Sequence, residues 1–169
     1  MLSKKLNKNL NEHMNLEFYS AYFYLSMSSW FSKEELAGFA TWFRVQAQEE
    51  LFHAMKTFDY INGAGGHALT TAIKAPQTDF DSIQQVFELT LEHERFVTST
   101  VNKLLTEVRK ESDHATDIFL QWFVSEQVEE EASVSAILKK VRMVGDDGRG
   151  ILMLDNELGS RIFTPPATA

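Results

Sequence analysis

Cysteine is absent from this chain, and proline and glycine are scarce, three and eight among 169 residues. Without cysteine there is no disulfide scaffold, thiol nucleophile, cysteine-held zinc or iron–sulfur cluster. No uninterrupted apolar run approaches the ~18 residues of a membrane span, so no membrane partner is expected. The opening residues Met1-Leu2-Ser3-Lys4-Lys5-Leu6-Asn7-Lys8 lack the apolar stretch of a signal peptide, so a cytoplasmic location is expected. Positive charge is in deficit: 16 basic residues face 24 acidic ones, for a net charge of -8. That balance argues against a nucleic-acid partner and for cation binding. What is present is ordinary globular composition, 44% apolar and 24% charged. The length suits one domain over residues 1–169.

The few helix breakers punctuate the chain. They fall at Gly38, at Gly63, Gly65 and Gly66, at Pro76, and then from Gly145 onward; none lies between Gln77 and Val144. Long helices are therefore predicted over about 3–31, 33–62, 79–111 and 113–144, with a shorter fifth over 150–158 and a tail carrying Pro165 and Pro166. Ser32-Lys33-Glu34-Glu35 reads as a capping box opening the second helix. The first and second helices, and the third and fourth, are joined by turns and so are antiparallel neighbours. About 16 residues, Gly63 to Thr78, separate the second from the third, long enough when extended to traverse a bundle. Two short hairpins and one long crossover give an all-α, ferritin-like four-helix bundle.

Each predicted helix carries an apolar stripe at helical spacing, and each stripe is interrupted by acid. Glu17 lies among Leu10, Met14, Ala21 and Tyr24; Glu50 among Phe43, Ala47 and Ala54, with His53 at the margin. Glu94 lies among Thr90, Val97 and Val101; Glu126 and Glu130 lie among Phe123, Val134 and Ile137, with Gln127 at the edge. At helical rise, Glu17, Glu50, Glu94 and Glu130 are each ~18–24 Å along helices of ~42–47 Å. Four carboxylates thus meet at mid-height in one core. Protonation relieves part of the cost, but no lysine or arginine is placed on the stripes to relieve the rest, which leaves metal cations as counter-charge. Carboxylates with one imidazole suit iron or manganese better than zinc. Glu50-Leu51-Phe52-His53 is a Glu-x-x-His motif, whose two side chains project together from adjacent turns. A di-iron redox enzyme without a storage role and a metal-free interaction bundle are the competing readings.

With these residues in place, the chain resembles the bacterial non-haem ferritins from Leu2 to about Gly159. The most specific passages are Gln46-Ala47-Gln48-Glu49-Glu50-Leu51-Phe52-His53-Ala54 and the stretch Trp122 to Glu131. The resemblance implies a dinuclear ferroxidase centre. Glu17, Glu50 and His53 would hold one iron. Glu50, Glu94 and Glu130 would hold a second, with Glu50 bridging, Gln127 alongside and Tyr24 close by. A third iron site would draw on Glu49, Glu126, Glu129 and Glu130. Fe2+ is then substrate, O2 or H2O2 the oxidant, and the product a mineral inside a hollow cage of twenty-four identical subunits. The last helix carries Gln127-Val128-Glu129-Glu130 where bacterioferritins repeat Glu-x-x-His, and Leu51 stands where their haem methionine would be, so no haem is expected. Of the two acids that line a threefold channel in animal ferritins, Asp117 matches one and Leu120 replaces the other. His13, His67, His93 and His114 have no partner at ligand spacing and are read as structural. The apolar run Ile151-Leu152-Met153-Leu154 is read as a subunit contact.

Overall fold

A computed structural model describes residues 2–165; Met1 and residues 166–169, including Pro166 of the tail, lie outside the described residues. The helices are α1 (Lys4–Lys33), α2 (Ala37–Gly63), α3 (Ile83–Lys110), α4 (His114–Val144) and α5 (Gly148–Leu158). No strand occurs among the described residues. The α1/α2 and α3/α4 hairpins form the four-helix bundle, and α5 packs on α2 and α4. Asp155 of α5 accepts a hydrogen bond from the Phe39 backbone N–H at 2.9 Å, and α5 passes so close to α2 that only glycine fits at position 38.

The core is divided in two. One cluster, rich in aromatics, gathers Tyr24, Met27, Phe31, Phe39, Phe43, Phe87 and Val134. The other gathers Leu6, Leu10, Met14, Ile61, Val97, Val101, Leu120 and Phe123. On every helix the central acid falls between the two sets: Glu17 after Met14, Glu50 after Phe43, Glu94 before Val97, Glu130 before Val134. The carboxylates form a polar waist across an otherwise apolar interior, as the stripe spacing predicts.

Helix ends differ from expectation at three places. The second helix does not begin with a capping box at Ser32. Ser32 lies inside α1, where its hydroxyl donates to the Ser28 carbonyl at 2.9 Å, and the N-cap of α2 is Leu36, without a side-chain cap. Leu36 packs against the core, Glu35 takes φ 60°, and the Leu36 N–H donates to the Phe31 carbonyl at 3.0 Å. Apolar burial, not capping, sets this boundary. The third helix begins at Ile83 rather than Asp79, because buried Phe80 packs edge-on against Trp30 at 5.7 Å and draws the chain away from helical geometry. Ser82 accepts from the Gln85 N–H at 3.1 Å while Gln85 reaches back to the Asp81 N–H at 2.7 Å, so the Ser-x-x-Gln signature worked here instead. The fifth helix starts at Gly148, capped by Asp147, two residues before the predicted Gly150.

The crossover is extended and pinned. Asn7, Asn11 and Asn15 stand one turn apart on α1. Asn7 accepts from the His67 N–H at 3.0 Å; Asn11 donates to the His67 carbonyl at 2.9 Å and accepts from the Leu69 N–H at 2.5 Å. Asn15 donates to the Leu69 carbonyl at 2.8 Å and accepts from the Thr71 N–H at 2.9 Å. Four helical residues rise about 6 Å and two extended residues about 6.6 Å, so the two repeats stay in register. Side-chain amides thus take the place of a neighbouring strand.

Candidate metal centre

Glu17 projects from the middle of α1 and is 1% exposed; Glu50, one helix away on α2, is 2% exposed. His53 follows Glu50 by one turn, its Nδ1 3.4 Å from Glu50 Oε2. One ligand atom each from Glu17, Glu50 and His53 lies within 4.8 Å of the others. Neither Glu17 oxygen has a hydrogen-bond donor. Buried carboxylate oxygens without donors are costly unless something else satisfies them.

Glu94 and Glu130 approach from α3 and α4 and are buried too. The Tyr24 hydroxyl donates to Glu94, and Gln127 Nε2 donates to Glu94 Oε2 at 3.1 Å. Gln46 Nε2 donates to Glu130 Oε2 at 2.9 Å. Among the described residues, the trio Glu17, Glu50 and His53 is the one drawn within 4.8 Å; Glu50, Glu94 and Glu130 are not gathered as tightly. The difference follows from those partners, which hold Glu94 and Glu130 to Tyr24, Gln127 and Gln46.

The electrostatics are those of crowded acids in a dry interior. Burial, reinforced by Glu50 and the other acids, raises Glu17 and Glu94 well above the ordinary carboxylate range. Glu130 is pushed up to about 7 by burial and by Glu50. Glu50 is the exception. Burial opposes its ionisation, but the charge of neighbouring His53 holds it below the ordinary value. His53, although desolvated, is raised by Glu50. Burial and the Glu94 charge likewise raise Tyr24, which keeps its phenol proton for donation. The centre therefore holds protons that a cation can displace.

The third set of acids lies at the rim. Glu49 and Glu126 are half-buried and Glu129 is exposed. With Glu130, Phe52, His53 and Arg161 they line a cavity of about 110 Å³. Two expectations are corrected here. Gln127, assigned to the edge of its stripe, is buried, and Glu126, assigned to the stripe itself, is at the edge. A basic side chain does reach these acids: Arg161, from the segment after α5, pairs with Glu49 at 2.6 Å. No periodicity within a helix signals a tail residue folding back over α2.

His13, read in the sequence as without a partner at ligand spacing, adjoins the acids as well. It is fully buried one turn before Glu17, with Nδ1 3.3 Å from Glu17 Oε1 and its ring edge-on to Phe123 at 4.8 Å. Burial and His53 lower it to about 4, so it is a neutral imidazole. The i, i+4 spacing to Glu17 was the available signal. Gln46, four residues before Glu50, carried the same signal. His93 has its Nε2 2.8 Å from Ser20 Oγ and its ring edge-on to Tyr24 at 5.9 Å. Asp117 is paired with Arg109 at 3.0 Å, and Leu120 is wholly buried.

The sequence pattern of the ferritin-like domain matches residues 7–144. The chain belongs to the ferritin family. Among its relatives, the bacterial non-heme ferritin of Staphylococcus saprophyticus is 44% identical over 163 residues, 96% of this chain and 98% of that protein. The Staphylococcus aureus (strain MRSA252) counterpart is 42% identical over the same shares. Among solved structures, an engineered closed form of the Archaeoglobus fulgidus ferritin superposes with a TM-score of 0.96 at 47% identity, covering 97% of this chain and 100% of that one. The waist of carboxylates in this ferritin-family chain thus sits in a scaffold shared along nearly its whole length.

Proposed function

We propose that this protein is an iron-storage ferritin with ferroxidase activity, its whole chain acting as one domain. The observation that carries the reading is the buried trio Glu17, Glu50 and His53, with ligand atoms within 4.8 Å and both Glu17 oxygens lacking donors. In this reading Glu17, Glu50 and His53 receive one Fe2+, and Glu50, Glu94 and Glu130 receive a second, with Glu50 shared. Gln127 and Tyr24 orient Glu94, and Gln46 orients Glu130. Cation binding releases the protons held by Glu17, Glu94 and Glu130. Each Fe2+ gives up one electron, so a pair supplies the two electrons that take O2 to peroxide, or peroxide to water. Hard anionic oxygens favour the more highly charged Fe3+ over Fe2+. The rim acids Glu49, Glu126, Glu129 and Glu130 are the third iron site, from which Fe3+ passes to mineral.

Storage requires a closed assembly of identical chains, here taken as twenty-four in the cytoplasm. Leu152 and Met153 on α5 support a contact between subunits, being large apolar side chains 60% and 74% exposed. Glu17→Ala and Glu94→Ala are the test. Each should keep its helicity and its size on gel filtration while losing the fast phase of Fe2+ oxidation by at least about tenfold. An unchanged rate in both variants sinks the assignment. A chain that oxidises iron but elutes as a small oligomer and retains only a few irons would instead be a redox enzyme without storage.

A further inference from the structure

The segment after α5 brings a cation to the acidic rim. Arg161 Nη2 donates to Glu49 Oε2 at 2.6 Å, and its guanidinium carbon lies 4.7 Å from the centroid of the Trp42 ring. Its Nη1 is buried and has no hydrogen-bond partner. Glu49, Glu126, Glu129, Glu130 and Arg161 line the same cavity of about 110 Å³. Four acids therefore share this space with one guanidinium beside the His53 ring, and the guanidinium is held from two directions. The stack on Trp42 fixes the guanidinium plane, and the Glu49 bond fixes its donor edge. The same bond does not extend to Glu17, Glu50, His53 or Glu94.

We propose that Arg161 is a tethered counter-ion of the rim, and that it sets the affinity of the third metal position by competing for the Glu49 carboxylate. This rests on the proposed reading of the rim acids as iron ligands. A carboxylate oxygen that accepts the guanidinium N–H does not offer the same lone pair to a metal ion. A third cation that takes Glu49 Oε2 must first separate it from Arg161, whereas Arg161 holds none of the inner carboxylates. The rim is thereby a weak, readily emptied position beside a stronger pair, which suits a point through which iron passes on its way to mineral. A charge-assisted hydrogen bond of this kind weakens a competing ligand by about ten- to a hundredfold.

The test is anaerobic titration of the metal-free, full-length protein with Fe2+ by calorimetry, comparing wild type, Arg161→Gln and Arg161→Lys. The glutamine variant should tighten the third position by about ten- to a hundredfold and leave the first two within about twofold. The lysine variant keeps the charge and should keep the third position weak. Adding Glu49→Gln should abolish the effect of Arg161→Gln. A third-position affinity in Arg161→Gln within about twofold of wild type overturns the proposal, as does the absence of any rim binding. Repeating the comparison in a Glu17→Ala background separates this outcome from the fate of the ferroxidase reading, because the rim does not use Glu17. A second measurement needs no variant. In wild-type crystals soaked in Zn2+, anomalous density at Glu49 should coincide with withdrawal of Arg161. Metal on Glu49 with the ion pair intact overturns the idea.

Discussion

Glu130 allows the energetic argument to be put to a quantitative test. Burial and the neighbouring Glu50 raise its pKa from 4.5 to about 7 in the folded, metal-free chain. Below pH 4.5 the group is protonated whether the chain is folded or not, and its burial costs little as an acid. Between 4.5 and about 7 the folded state holds a proton that the unfolded state has lost, so stability falls as pH rises. Above that window the loss is complete and amounts to ~3 kcal/mol, at ~1.4 kcal/mol per unit of pKa. Glu130→Gln removes the titration while keeping the shape and an oxygen to accept from Gln46. The variant and the wild type should therefore be about equally stable near pH 4 and diverge with rising pH, until the glutamine form is ahead by ~3 kcal/mol near pH 8. Urea unfolding of both metal-free proteins across that range measures the gap, and any contribution from subunit contacts cancels in the difference. Divalent metal at a thousand times its Kd should reverse the order, since it adds ~4.1 kcal/mol to the form that binds it. Parallel stability curves for the two metal-free proteins would refute the claim that buried charge at the waist is what the metal relieves.

Other substitutions test the scaffold. In Gly38→Ala the new Cβ would lie 1.7 Å from the Asp155 carbonyl oxygen, so α5 should undock, with a loss of at least ~1–3 kcal/mol in thermal unfolding and faster proteolysis after Val144. Asn11→Ala leaves the His67 carbonyl and the Leu69 N–H without their partner and should cost ~1–3 kcal/mol by denaturant titration; an unchanged midpoint would mean that the asparagine ladder holds nothing. His13→Leu exchanges a buried imidazole with two unpartnered nitrogens for an apolar side chain of similar size. The metal-free variant should be as stable as wild type or more so, and a fall in stability above ~2 kcal/mol would show that His13 has a partner.

What the sequence determined by itself was everything that repeats along a helix. Four stripes at a spacing of 3.6 residues, each broken at its middle by Glu17, Glu50, Glu94 or Glu130, specified the helices and the level of the carboxylates, and connection lengths specified their pairing, because periodicity, rise and loop length are local properties. Glu50 and His53 belonged to that legible part, since one helical turn joins them. Tertiary structure alone decided what each carboxylate meets. Tyr24 and Gln127 reach Glu94 from two other helices, Gln46 reaches Glu130 from a third, and Arg161 returns from beyond α5 to Glu49. The same holds for the boundaries at Leu36 and Phe80, where burial against a distant helix outweighed local signals. A hydrogen bond between residues far apart in sequence leaves no period to read, and it forms only once packing has brought its two ends together.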